Sequence, residues 1–391
     1  MTRLILITAL LLGLSVPAMA DMPLAGHDVS SLVFITNKDS NDVAVIDSRD
    51  NRLIASFEIG PWCAPHMSMV SCDGRLLLTP RTKKNDFIAF DLKTGEKLGP
   101  VPVGFSPEHF DCSPDSKLCY VANFEEGTIS AIDLTRMVEV ARIPGFAEPH
   151  GVTFTPDGSK AYIANFGAHE VGVVDTRTHQ LIKRIAVGSA YKVAALNPDR
   201  YLTEIKGIAN VTPTPDGRYC YAADGDSGEV AVIDTATDSV VTSVRVGAEP
   251  WRAYSSPDGS LMLVPNNGDG TVSVISTKNN KVVATLKGGE GMTGINFTGD
   301  GRKAYAISSQ EGAVYVYDME KMREVKRLKL GTNIVLETAS TTADGNRLYL
   351  ACSTTNSVYV IDGESDKVSV IPNVGHSPWA VAILGGYNYC H

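Results

Sequence analysis

The 391-residue sequence lacks several features by which common protein classes are recognised. It has no excess of basic charge, because 35 Lys and Arg stand against 44 Asp and Glu, a formal net charge of −9. An acidic chain has no general electrostatic attraction to nucleic acid or to an anionic membrane. The Cys-x-x-Cys-His motif is absent, so no covalently attached c-type haem is expected. The Gly-x-Ser-x-Gly motif of serine hydrolases is absent too.

Long apolar runs are also missing, apart from one at the start of the chain. Leu4 to Val16 follow the basic Arg3 and end at the small-residue segment Ala18-Met19-Ala20. This pattern predicts a secretory signal peptide that is cleaved after Ala20, and therefore export to the periplasm. No later segment approaches the ~20 apolar residues of a membrane span. We therefore expect a soluble mature chain over residues 21–391.

Cysteine is scarce, and the number of cysteines is odd. There are seven, which leaves at least one thiol without a partner in the same chain if the compartment is oxidising. Cys112 and Cys119 flank a single predicted hairpin, so their backbones are expected to lie within disulfide range. The alternative is that both are inert thiols. Cys220 occupies the same repeat position as Cys119.

Two independent markers show that the chain is built from repeats. Turn aspartates recur at spacings of 42, 42, 59, 42, 42 and 44 residues, at Asp73, Asp115, Asp157, Asp216, Asp258, Asp300 and Asp344. A polar residue that closes an apolar alternation recurs in the same phase, at Asp47, Asp91, Asp133, Asp175, Asp234, Ser276, Asp318 and Asp362. A fixed period of this length is typical of solenoids and propellers. The second marker predicts eight units.

Each unit has the pattern of four short strands, named A to D. In the third unit, His150–Thr155, Lys160–Asn165, Glu170–Asp175 and Leu181–Val187 alternate β-branched residues between Gly, Asp and Asn. A single sheet of this kind cannot bury both faces, so we predict an all-β chain with one eight-bladed propeller of four-stranded antiparallel blades. Strand A of the last blade is Trp379–Leu384. It is predicted to close the ring beside Leu32–Asn37, which together with the next two strands supplies strands B, C and D.

The repeat sequence resembles a known family. Tyr120-Val121-Ala122-Asn123, Tyr162-Ile163-Ala164-Asn165 and the recurrent Thr/Ser-Pro-Asp-Gly resemble the YVTN family of bacterial β-propeller repeat proteins, over nearly all of residues 30–385. The resemblance implies the fold but not one function, since such repeats occur in binding, structural and enzymatic proteins. In architecture only, eight exported blades are similar to the haem-binding propeller domain of cytochrome-type nitrite reductases. This likeness leaves a non-covalent haem open as a cofactor.

The first residue of each strand A is predicted to line the central channel at its mouth. That position holds His66, Glu108, His150, Ala209, Trp251, Thr293, Glu337 and Trp379. We expect His66, Glu108 and His150 to point into one cavity, because they come from consecutive blades. Imidazole and carboxylate are ligands for copper, iron, zinc or another divalent ion. The alternative is a structural role, in which each histidine bonds the backbone of a neighbouring blade.

Other residues at the mouth are candidates for binding a ligand. Trp251 and Trp379 could stack on a flat organic group, and Glu337 faces the arc of His66, Glu108 and His150 across the ring. Arg81 and Arg252 could receive an anion, although isolated basic residues are more often solvated surface. Strand alternation predicts that His109 faces into the blade or away from the channel, outside the set of ligands. His169 and His179 are expected to be solvated.

One connection is longer than the others. The step of 59 residues instead of 42 places a surplus of 17 at residues 189–206, between the third and fourth blades. Long loops in compact folds often cover binding sites, so this segment is predicted to be a lid over the mouth. A tolerated insertion without a role is the alternative.

Three functions fit this sequence. The first is a binding or accessory propeller whose partner is a small molecule or a periplasmic protein. The second is a copper- or iron/haem-dependent oxidoreductase that uses His66, Glu108 and His150. The third is a divalent-metal lyase or lactonase at the same mouth, with Glu108 or Glu337 as a ligand and a histidine as general acid or base.

Overall fold

The computed structural model describes residues 24, 26–189 and 205–389. The predicted signal peptide, almost all of the predicted lid at 189–206, and Cys390 lie outside the described residues. No helix among the described residues is long and apolar enough to cross a membrane.

The described residues form short strands and two single 3-10 turns, Val29–Ser31 and Thr82–Lys84. The strands, in chain order, are β1 Leu32–Asn37, β2 Asp42–Asp47, β3 Arg52–Glu58, β4 Met69–Val70, β5 Leu76–Arg81, β6 Asp86–Asp91, β7 Lys97–Pro102, β8 Pro107–Cys112, β9 Leu118–Asn123, β10 Thr128–Asp133, β11 Val138–Pro144, β12 Pro149–Phe154, β13 Lys160–Asn165, β14 Glu170–Asp175, β15 Gln180–Ala186, β16 Val211–Pro213, β17 Tyr219–Asp224, β18 Glu229–Asp234, β19 Ser239–Arg245, β20 Tyr254–Ser255, β21 Leu261–Asn266, β22 Thr271–Ser276, β23 Lys281–Lys287, β24 Met292–Phe297, β25 Lys303–Ser308, β26 Ala313–Asp318, β27 Arg323–Lys329, β28 Leu336–Thr341, β29 Arg347–Cys352, β30 Ser357–Asp362, β31 Val368–Pro372, β32 Pro378–Ile383 and β33 Tyr387–Tyr389.

These strands make eight antiparallel sheets, which confirms the predicted eight-bladed propeller. Blades 1 to 6 are β4–β7, β8–β11, β12–β15, β16–β19, β20–β23 and β24–β27, blade 7 is β28–β31, and blade 8 is β32 with β1–β3. The predicted closure is confirmed, because β32 pairs with β1 from Ile383 opposite Val33 to Pro378 opposite Asn37. The short β33 adds a fifth strand to blade 7, on the free edge of β28.

The repeated turn explains why strands A and B form a hairpin. In blade 3 the Thr155 hydroxyl donates to the Asp157 carboxylate (2.6 Å) and the Gly158 amide donates to the Thr155 carbonyl (2.8 Å). Gly158 has a φ of +68°, a conformation that costs glycine nothing and other residues about 1 kcal/mol. The Thr/Ser-x-Asp turn, followed by Gly in all but blade 2, therefore fixes the A–B hairpin of each of blades 1 to 7.

The hydrophobic core lies between neighbouring blades. Between blades 2 and 3, Tyr120, Phe154 and Ile163 pack in one buried cluster with residues of both sheets. Strands B and C are buried along almost their whole length, whereas strand D alternates exposed and buried residues. The ring is therefore held by repeated blade-to-blade packing.

A tyrosine in strand B links five blades to the next blade. Each hydroxyl is hydrogen-bonded to a residue with positive φ in the next C–D turn, in the pairs Tyr120–His179, Tyr162–Asp238, Tyr221–Asn280, Tyr305–Asp366 and Tyr349–Asn51. We call these pairs the tyrosine latches. They correct one prediction, since His179 is half-buried and bonded rather than solvated. His169 is not solvated either, because it is 3% exposed and lies 2.9 Å from the Asp224 carboxylate.

Candidate metal centre at the channel mouth

The start of strand A carries a β-bulge, and this bulge shapes the mouth. In blade 2, Pro107 pairs with Asn123 and Phe110 pairs with Val121, so Glu108 and His109 together face one residue of β9. The same irregularity occurs at the start of β12, β24, β28 and β32. A bulge breaks the alternation of side chains and re-aims one of them. Two consecutive residues of blade 2 are thereby directed to the channel.

His66, Glu108 and His109 come together at this point. One potential ligand atom from each of the three residues lies within 4.8 Å of the others. The imidazole rings of His66 and His109 are 4.6 Å apart between centroids. The expectation that His109 faces away from the channel is therefore wrong, because it assumed unbroken strand alternation. The cluster of three candidate ligands therefore comes from blades 1 and 2, with His109 in place of the predicted His150 of blade 3.

His150 lies beside this group. Its ring stacks on that of His109 with centroids 3.7 Å apart. Its Nδ1 lies 2.8 Å from the Ala209 carbonyl oxygen, so Nδ1 carries the proton and donates to blade 4. This is the backbone contact that the sequence left open as the alternative. Because the contact fixes the tautomer, the Nε2 of neutral His150 carries the lone pair.

The carboxylate of the group is perturbed by its surroundings. Burial raises the pKa of Glu108, and the Ser106 hydroxyl, which donates to the carboxylate over 3.3 Å, partly offsets this effect. Lys38 also acts to lower the pKa, and its ammonium lies 4.0 Å above the ring of Trp379. A partly buried carboxylate between two imidazoles is stabilised in its charged form by a bound cation. Burial of Glu108 therefore acts against its charged form, and Lys38 acts in favour of it.

Aromatic side chains continue the arc on both sides of the histidines. Trp379 lies 5.8 Å from His66, and at the other end Phe166 lies 5.7 Å from His150 and 5.9 Å from Trp251. Phe166, Trp251 and Phe124 line a cavity of about 690 Å³, together with loop residues that include Glu148, Lys206 and Glu249. This volume is within the usual range of small-molecule sites. We call it the aromatic cavity.

The remaining predicted residues lie elsewhere. Arg81 makes a two-point ion pair with Asp86 (2.5 and 2.6 Å), which occupies its guanidinium. Glu337 is 5% exposed and accepts a hydrogen bond from Ser353. Arg252 is 8% exposed and lines a second cavity of about 510 Å³ deeper in the channel. That cavity also contains Asp111, whose pKa burial raises to about 6.

Sequence reasoning missed His109, Lys38 and the two phenylalanines of the aromatic cavity. Phe124 and Phe166 directly follow Asn123 and Asn165, the last residues of strand B in blades 2 and 3. A blade-by-blade comparison of the first residue of the B–C loop, like the one made for the first residue of strand A, would therefore have found both phenylalanines. The orientation of His109 depends on the bulge in β8, and the repeat spacing does not reveal that bulge.

The two cysteines of the predicted disulfide are neighbours. Cys112 on β8 pairs directly with Cys119 on β9, and both are free buried thiols.

Residues 215–387 match the model of a family described as YNCE-like beta-propeller. The resemblance to bacterial β-propeller repeat proteins is confirmed. Among curated proteins, none matches this chain in sequence.

Two solved structures are similar to the chain. Dihydro-heme d1 dehydrogenase NirN, solved in complex with DHE, aligns with a TM-score of 0.77 and 18% identity, over 93% of this chain and 77% of that one. Hydrazine synthase of Kuenenia stuttgartiensis aligns with a TM-score of 0.55 and 22% identity, over 80% of this chain and 96% of that one. At these identities the likeness concerns the fold alone.

Proposed function

We propose that this chain is an exported ligand-binding propeller that binds a transition-metal ion at the channel mouth through His66, Glu108 and His109. The observation that carries the proposal is that one ligand atom of each residue lies within 4.8 Å of the others. Two imidazoles and one carboxylate suit zinc, copper or iron better than calcium or magnesium. The N-terminal pattern of a signal peptide supports export.

His150 has a supporting part in this proposal. It packs against His109 and is itself anchored to the Ala209 carbonyl of blade 4. Groups that surround the ligands of a metal commonly fix the orientation of those ligands. His150 therefore holds the ring of His109 in place and does not need to share the ion.

An organic ligand is proposed for the aromatic cavity. Phe124, Phe166 and Trp251 present aromatic faces and edges, and Glu148 and Lys206 add polar groups. Three protein ligands leave coordination positions for an outside molecule. A planar molecule in this cavity would lie beside His150, at the end of the same arc. NirN, which was solved in complex with DHE, supports a planar ligand by analogy of fold.

A metal-dependent oxidoreductase is the second candidate. The observation that favours it is the set of two histidines and one carboxylate, a donor set that also serves non-haem iron(II) oxygenases. Protein loaded with Fe²⁺ would then consume oxygen when an oxidisable ligand is added. A binding protein would take up the ligand without consuming oxygen.

Metal titration tests the main proposal. We expect one Zn²⁺ or Cu²⁺ per chain by calorimetry, and at least about 100-fold weaker binding in His66→Ala and His109→Ala, since changes outside the ligand set already cost 10–100-fold. His150→Ala should fall within that smaller range. The matched control is His376→Ala, because His376 is exposed and also lies in the connection before a strand A. This variant should bind the metal as the wild type does. Unchanged stoichiometry and affinity in His66→Ala/His109→Ala would rule the site out.

A separate titration tests the aromatic cavity. Haem is a suitable planar probe, and its absorbance should change on binding to the wild type but not to Trp251→Ala/Phe166→Ala. If haem binds both proteins equally, the aromatic cavity is not its site. The metal proposal is unaffected by that result.

A further inference from the structure

A cluster of three thiols lies at the opposite end of strand A from the metal centre. Cys112 is the last residue of β8 and Cys119 is the second residue of β9. Cys72 lies in the β4–β5 turn of the neighbouring blade and is exposed. The two turns are joined, because the Asp73 amide donates to the Ser116 hydroxyl in the β8–β9 hairpin (3.0 Å).

Cys112 and Cys119 are placed for covalent bonding. They are direct cross-strand partners, 3% and 0% exposed, and one thiol is hydrogen-bonded to the other. Direct partners in an antiparallel pair have Cα atoms about 4.5–5.5 Å apart. This separation falls within the roughly 4.4–6.8 Å that a disulfide spans. No backbone movement is therefore needed to join them.

Cys72 is the accessible member of the cluster. Its side chain contacts the Ser116 hydroxyl, while partial burial, Asp111 and Cys112 raise the pKa of its thiol. A bulky oxidant can reach an exposed turn, whereas it cannot reach two thiols that are buried in the blade. Thiol–disulfide exchange between neighbouring thiols needs only that each attacks the next sulfur in turn.

We infer that Cys112 and Cys119 form a redox-active disulfide and that Cys72 is the thiol through which it is made. This inference does not depend on the metal centre. The oxidant is a disulfide donor R–S–S–R, either a small molecule or a thiol oxidoreductase. Two Cys–SH and one R–S–S–R become one Cys112–Cys119 disulfide and two R–SH, so the donor gains the two electrons and two protons that the thiols lose.

The exchange has three steps. The Cys72 thiolate attacks the donor, which forms a Cys72–S–S–R mixed disulfide and releases the first R–SH. Cys112 then attacks the Cys72 sulfur and releases the second R–SH. Cys119 finally attacks the Cys112 sulfur, which breaks the Cys72–Cys112 bond and returns Cys72 to the thiol. Burial raises the pKa of all three thiols, Cys72 included, so every step is expected to be slow at neutral pH.

Cys220 provides a matched internal control. It occupies the position of Cys119 in blade 4 and is equally buried, but the residue across the ladder is Pro213. It therefore has the same strand position and burial without a thiol opposite it.

The test uses reduced full-length protein incubated with oxidised glutathione, then denatured in excess iodoacetamide, digested and measured by mass spectrometry. We expect a linked pair of peptides that contain Cys112 and Cys119, and full alkylation of Cys220. Equal alkylation of Cys112, Cys119 and Cys220 would overturn the disulfide. In Cys72→Ser the linked pair should form at least tenfold more slowly, and formation at the wild-type rate would overturn the role of Cys72.

Discussion

At the scale of single residues, His179 illustrates how one turn position couples the fold to pH. Burial lowers the pKa of His179, although Asp175 acts in the opposite direction. The folded state therefore takes up a proton less readily than the unfolded chain. Its contribution to stability is fully present above the unfolded pKa of about 6.5 and is lost as the pH falls through the lower folded pKa.

Replacement of His179 by the residue that another latch uses tests this coupling. Asn280 has the same role opposite Tyr221, so His179→Asn keeps a hydrogen-bonding side chain that does not titrate. We expect the urea midpoint of the wild type to fall more between pH 7.5 and pH 5 than that of the variant. Equal falls in the two proteins would show that His179 does not contribute to the acid sensitivity.

At the scale of elements, the tyrosine latches join strand B of five blades to the next blade. The Tyr162 hydroxyl donates to Asp238 (2.5 Å), and the same carboxylate accepts from the Lys160 ammonium (2.7 Å). The burial and the neighbouring carboxylate raise the pKa of Tyr162, so its phenol stays protonated and can donate. Hydrogen bonds to charged groups contribute more to the free energy of unfolding than hydrogen bonds between neutral groups.

Tyr162→Phe removes one latch with little change of volume. We expect a loss of about 1.5–3 kcal/mol in the free energy of unfolding, the range for a hydrogen bond to a charged group. Tyr219→Phe in blade 4 is the control, because its hydroxyl makes no hydrogen bond among the described residues. Denaturant unfolding measures both variants, and equal stabilities would show that the latch contributes nothing.

At the scale of the whole molecule, blade 8 joins the two ends of the described chain. Val381 on β32 pairs with Ile35 on β1, is 4% exposed, and packs with Tyr349 of blade 7. The closing strand is therefore part of the core between two blades. Opening it would expose strand edges on both sides of the gap.

Val381→Asp tests whether the ring is one cooperative unit. A buried unpaired carboxylate should cost at least about 3 kcal/mol, and hydrogen exchange should accelerate in all blades. Val370→Asp on the outer strand β31, where Val370 is 49% exposed, should change little. If exchange became faster in blade 8 alone, the other blades would remain folded without the pairing of β32 with β1.

The sequence predicts this fold well because its signals are local. The Thr/Ser-x-Asp-Gly hairpins depend on contacts within five residues, as between Thr155 and Lys160, so spacing alone sets the blade boundaries. The site is predicted less well, because it depends on contacts between blades. His109 joins His66 only through a bulge, and Lys38 reaches Trp379 only because β1 and β32, far apart in sequence, pair in blade 8. Neither contact leaves a periodic signal in the sequence.

The bulge at the start of strand A also places two candidate ligands side by side in the sequence. Glu108 and His109 are adjacent in sequence, so a single dipeptide carries two of the three residues of the candidate metal site. The same bulge in blade 7 holds Glu337 and Thr338, and in blade 3 it holds His150 and Gly151. A Glu-His graft could therefore move the donor pair to blade 7, whereas Gly151 of blade 3 has no room for a side chain, because a Cβ there would lie 2.8 Å from the Ala209 carbonyl oxygen. Propellers of this type could therefore gain or lose such a donor pair, in evolution or by engineering, through substitution of two adjacent residues.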